Sequence, residues 1–136
     1  MKGKGDRPEG LPAARNERLE RKTMTSEEFR KMALSLPETA EAAHMGHPDF
    51  RVGGKIFATL SPPGQGWAMV KLTPEQQESF VQSEPKVFAA FNGAWGRDGA
   101  TKVHLRAAKK STLRTALVFA WRNRAPKRLV QKFEVE

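Results

Sequence analysis

The sequence predicts an α+β fold in which an antiparallel sheet is covered on one face by helices. Three observations carry this. Thr25 and Thr73 each open a complete helix-capping signal, the residues between them alternate as strands do around a Gly53-Gly54 pair, and residues 111–124 hold one apolar stripe of helical period. The order is helix, three or four strands, helix, one further strand, helix. Strands grouped in this way pair as a hairpin-joined sheet, whereas regular strand–helix alternation would build a parallel one.

The first helix begins after Met24. Thr25 is the N-cap, Glu28 completes a T-x-x-E capping box, and Met24 with Phe29 forms a hydrophobic staple. Phe29, Met32, Ala33 and Leu36 recur at helical spacing until Pro37 stops the run. Short strands follow from Ala40 to Lys71. Phe50 and Val52 alternate with Arg51, Gly53-Gly54 supplies a two-residue turn that needs positive φ, and Lys55 to Leu60 returns as the next strand. After the loop at 61–66, Trp67 to Lys71 completes a meander. His47-Pro48 reads as a conformational lock, because proline holds the residue before it extended.

Thr73, Pro74 and Gln76 then give an N-cap, a proline at the first helical position and a glutamine at the third, so a second helix runs to about Ser83 with Phe80 and Val81 toward the core. The Gly-rich segment 92–99 reads as a loop. Thr101 to Arg106 alternates, with Val103 and Leu105 on one face and Lys102, His104 and Arg106 on the other. In the last helix, about Ser111 to Arg124, the stripe is Leu113, Ala116, Leu117, Ala120 and Trp121, and Ser111, Arg114, Thr115, Val118 and Arg122 lie opposite.

The chain's 136 residues fit one domain. Residues 1–23 read as a flexible basic N-terminal extension, residues 24–124 as the folded domain and residues 125–136 as a basic C-terminal tail. With no apolar run of bilayer length and no apolar core in the basic N-terminus, a soluble cytoplasmic protein with no membrane role is expected. The absence of cysteine excludes disulfides, thiolate metal sites and thiol nucleophiles.

The net charge of +9 is unevenly spread. Residues 1–22 carry a surplus of +3, residues 23–108 are balanced with nine charges of each sign, and residues 109–136 carry +6. A polyanion would therefore be gripped mostly by the C-terminal part. The competing reading is that these charges only solubilise two loose ends. Lys109 and Lys110 stand where the helix dipole disfavours cations, which points to an external anion. Arg122 and Arg124 suit the dipole at the other end, so they read equally as phosphate contacts or as helix-end charges.

Catalytic patterns are lacking. His44 and His47, three apart, would point to opposite faces of one strand, so no metal site is expected. Gly53-Gly54-Lys55 has neither the first glycine nor the Ser/Thr of a phosphate-binding loop, and no glycine-framed serine supports a triad. No enzyme activity and no cofactor are expected, and a monomer is favoured.

The stretches TSEEFR at 25–30, LSLPE at 34–38, HPDFRVGGKIFA at 47–58, VKLTPE at 70–75, WG at 95–96 and AW at 120–121 together resemble the MmcQ/YjbR family over about residues 24–124. The resemblance implies a CyaY-like α+β fold and DNA binding by a "double wing" of hairpins. The basic extension and tail lie outside it. An iron role by analogy to frataxin would need an acidic ridge, and Glu27, Glu28, Glu38 and Glu41 are interrupted by Arg30 and Lys31.

Two expectations follow. In one, duplex DNA is held with little sequence preference by Lys109, Lys110, Arg114, Arg122, Arg124, Lys127 and Arg128, helped by Arg51, Lys55, Lys102 and Arg106; Trp67 or Trp95 offers a ring for an exposed base, but tryptophans at strand and turn positions read more often as core, by about three to one. In the other, a protein or small molecule occupies a cleft lined by His47, Phe50, Trp95 and Arg97.

Overall fold

A computed structural model describes residues 24–135. The predicted extension over 1–23 lies outside them. In chain order the elements are α1 (Ser26–Leu34), β1 (Ala40–His44), β2 (His47–Val52), β3 (Lys55–Leu60), β4 (Trp67–Lys71), α2 (Pro74–Ser83), β5 (Phe88–Ala90), α3 (Gly93–Arg97), β6 (Ala100–His104), a 3₁₀ turn (Leu105–Ala107), α4 (Lys110–Arg124) and α5 (Lys127–Val135). All strand pairings are antiparallel, in the order β1-β2-β3-β4-β6-β5. The fold is the predicted α+β sheet with helices.

Local chemistry sets the helix starts as expected. Thr25 accepts from the Glu28 amide while Glu28 accepts from the Thr25 amide, and Thr73 and Gln76 repeat the exchange at α2. At the β2–β3 turn Gly53 and Gly54 have φ of 59° and 79°, values that carry a Cβ penalty in any other residue.

The core lies between the sheet and its helices. α4 buries Leu113, Ala116, Leu117, Ala120 and Trp121, the stripe read from the sequence, and α1 adds Phe29, Met32 and Ala33. They meet Phe50, Val52, Ala58, Leu60, Ala68, Val70, Phe88 and Val103, the inward positions of the strands. A bulge between Phe50 and Arg51 in the β2–β3 register lets Phe57 and its neighbour Ala58 both be buried.

Four details differ from the sequence reading. His44 and His47 belong to two strands, not one, and are direct cross-strand partners, because Met45 and Gly46, both at positive φ, close a hairpin between them. The 92–99 segment holds helix α3, where a Cβ on Gly96 would lie 1.6 Å from the Phe91 carbonyl oxygen. Its glycine serves close packing, where the sequence suggested a loop. The last strand ends at His104, and Leu105 enters the 3₁₀ turn while staying buried.

The fourth difference is the segment read as a tail. Residues 127–135 form α5, which buries Leu129, packs Val130 and Phe133 on the core, and sets the Phe133 ring 5.1 Å from that of Trp121. Leu129, Val130 and Phe133 recur at helical spacing, so the segment covers apolar surface of its own.

Candidate nucleic-acid interface

The basic residues divide between the helix layer and the sheet. At the start of α4, Lys109 is the N-cap and supplies no side-chain cap, and Lys110 occupies the first helical position. Both are exposed. Lys110 and Arg114 join Lys31 of α1 around a groove of about 290 Å³ floored by Met24 and Met32, with Glu28 also on its wall. Farther along, Arg114 and Arg122 flank Val118 and the partly exposed Phe119 on the outer stripe of α4.

The other end of α4 meets the β2–β3 turn. A Cβ at Gly53 would lie 3.1 Å from Cδ of Pro126, so the turn is seated on the α4–α5 junction. That contact puts Lys55 and Lys127, both exposed, within two residues of one point. Arg128 is also exposed and lies 3.4 Å from Glu38 across the surface. From Lys110 to Arg124 the helix rises about 21 Å, roughly the rise of six base pairs of duplex DNA.

Not every expected cation is available to a ligand. Arg124 Nε donates to the Ile56 carbonyl oxygen at 3.2 Å and so ties α4 to β3. Arg51 donates from Nε at 2.8 Å and from Nη2 at 3.1 Å to the carboxylate of Asp49, which is fully buried. The hydrogen bond to Asp49, with its charge, raises the Arg51 pKa above its ordinary value and keeps the guanidinium charged. Arg106 stands exposed in the 3₁₀ turn beyond β6. Lys71 is paired with Asp98 at 3.3 Å.

The register also defines the sheet face turned away from α1 and α4. Met69 pairs with Lys102 and Trp67 with His104, alternating with the core positions Ala68 and Val103. Met69 and Ala100 are buried yet stand apart from the helix–sheet core, as their outward register requires. On this side the Trp67 and Phe91 ring centroids are 5.7 Å apart, and those of Phe91 and Trp95 are 4.7 Å apart. The Lys102 ammonium lies 5.3 Å from the Trp67 ring centroid. Trp95 is 47% exposed, whereas Trp121 is fully buried.

The cleft of His47, Phe50, Trp95 and Arg97 does not form. His47 and Phe50 are on β2, separated from β6 by β3 and β4, a lateral distance of about 14 Å. Phe50 is fully buried against Phe29 on the helix side. Trp95 and Arg97 lie on α3, which packs beside β6. The sequence suggested the cleft because its distinctive residues are aromatic and Gly/Pro, unlike a phosphate-binding set, and sheet order separates the four.

Two contributors were not singled out from the sequence. Lys31 joins Lys110 only through the packing of α1 on α4, for which no local signal exists. Phe91 continues the alternation of β5 from Ala89, the partner of Lys102, but the strand is three residues long. The acidic positions offer no ridge: Arg30 binds Glu27 and Glu41, and Arg128 faces Glu38.

Comparison with known proteins agrees with this architecture. A crystal structure of the Deinococcus radiodurans protein DR2400, described as a DUF419 domain, superposes with a TM-score of 0.63 over 73% of this chain and 77% of that one, at 19% identity. At that identity the likeness is one of fold. No curated protein matches the chain. The YjbR family model matches residues 34–123, about two thirds of the sequence, and the chain therefore belongs to the YjbR family.

Proposed function

We propose that the protein is a non-catalytic DNA-binding domain that holds duplex DNA through its phosphates, with little reading of sequence. The observation that supports this most directly is the seating of the β2–β3 turn on Pro126, which gathers the hairpin's Lys55 with Lys127 and Arg128 at one end of α4. Lys109, Lys110, Arg114 and Lys31 supply the other end. Two cationic groups about 21 Å apart along one helix suit phosphates about six base pairs apart on a single duplex. Arg124 and Arg51 act in the fold instead, because their guanidinium groups are engaged within it.

The test is fluorescence anisotropy of a labelled mixed-sequence duplex, titrated at several salt concentrations. Binding should weaken along a log–log line with a slope of about −0.9 per phosphate contacted. Replacing Lys55, Lys109, Lys110, Arg114, Lys127 and Arg128 by glutamine should abolish it. Unchanged affinity in that variant would overturn the reading.

A further inference from the structure

We propose that the sheet face turned away from α1 and α4 is a second nucleic-acid site, a stacking platform for unpaired bases of a single strand. The proposal rests on the nucleic-acid reading above but uses different residues on the opposite side of the sheet. Its carrier is the continuous row of rings Trp67, Phe91 and Trp95, with centroid separations of 5.7 Å and 4.7 Å, next to Lys102.

The row is built rather than accidental. Gly96 has no room for a Cβ against the Phe91 carbonyl, so α3 is pressed onto the strand end and Trp95 is held on Phe91. Gln77 of α2 anchors the same corner, donating to the carbonyl oxygens of Gly96 and Ala100 at 3.0 Å each. A fixed, half-exposed indole is a ready partner for a flat ring. Trp67 is steadied by its own N–H, which donates to Gln65 at 3.3 Å.

Charge selects the occupant. Lys102 makes no ion pair among the described residues. Aromatic faces beside a free ammonium suit a strand whose bases stack on the rings while a phosphate meets the Lys102 ammonium. A duplex cannot use such a face, because its bases are stacked on one another and show only their edges. Every base has a π-face, so the site should tolerate sequence.

The full chain is titrated against two labelled probes, an oligothymidylate of about twenty nucleotides and a mixed-sequence duplex of the same length. Trp95→Ala should weaken oligothymidylate binding about tenfold or more and change duplex binding by less than about twofold, and Trp95→Phe should restore most of the loss. Equal oligothymidylate affinity in wild type and Trp95→Ala, or none in wild type, would overturn the platform whatever the duplex does. Trp95-dependent binding of the single strand with no binding of the duplex would support the platform and overturn the helix-side reading. If Trp95→Ala loses its far-UV circular dichroism, Lys102→Gln decides, and unchanged oligothymidylate affinity and salt slope would overturn the platform. Light scattering covers the other occupant: a dimer that Trp95→Ala splits would make this face a contact between copies and overturn the proposal.

Discussion

The indole N–H of Trp121 donates a 3.0 Å hydrogen bond to the carbonyl oxygen of Pro37, joining the last turns of α4 to the turn that follows α1. The ring is fully buried, and Phe133 of α5 packs on it. One side chain therefore ties α4 both to α5 and to the turn after α1. Trp121→Phe keeps much of the apolar contact, removes the donor from the Pro37 carbonyl and leaves a small void. It should cost about 2–3 kcal/mol, read as a lower midpoint in urea with an unchanged m-value. A loss below about 0.5 kcal/mol would mean that water reaches that carbonyl.

The Arg51–Asp49 pair makes a prediction of sign. Asp49 is fully buried, and Arg51 donates twice to its carboxylate. Arg51→Ala strands a buried charge and should lower the Tm by roughly 5 °C or more. Adding Asp49→Ala removes the stranded carboxylate, so the double variant should melt above the single one. Thermal melts of the two variants decide it, and a double variant that melts lower would show that Asp49 has a further role of its own.

The legible parts of the fold are those fixed by neighbours in sequence. Thr25 with Glu28 and Thr73 with Gln76 sit three residues apart, and the α4 stripe recurs from Leu113 to Trp121 over about two and a half turns, so caps and period are readable without knowing the fold. Helix α5 was obscured because Lys127, Arg128 and Lys132 dominate a short segment whose Leu129 and Phe133 matter only once Trp121 is in place. The candidate sites are long-range objects. Trp67, Phe91 and Trp95 meet because β6 inserts between β4 and β5, an order that does not follow the chain. The supposed cleft failed for the same reason.

Glycines of two kinds should respond differently to alanine. At Gly96 the added Cβ would lie 1.6 Å from a backbone oxygen, which no rotamer change relieves, whereas at Gly64, with φ of 84°, it meets nothing within 4 Å. Gly96→Ala should cost about 3 kcal/mol and shift α3, and Gly64→Ala about 1 kcal/mol from backbone strain alone. Denaturant titration of the two variants gives the comparison. Equal losses would show that α3 relaxes without resistance.

Neighbouring cations at the α4–α5 junction should separate into structural and ligand-facing roles. Arg124 is half-buried and bonded to the Ile56 carbonyl oxygen at 3.2 Å, while Lys127, three residues on, is exposed and makes no ion pair among the described residues. Arg124→Gln should therefore lower stability by about 1 kcal/mol and leave the salt dependence of duplex binding nearly unchanged. Lys127→Gln should leave the melting curve in place and reduce the magnitude of the salt slope by about 0.9, the loss of one phosphate contact. The two measurements are independent, so an exchange of outcomes is detectable. If Arg124→Gln flattens the slope and Lys127→Gln does not, the guanidinium leaves Ile56 when DNA binds, and the phosphate contact belongs to the end of α4 rather than to α5.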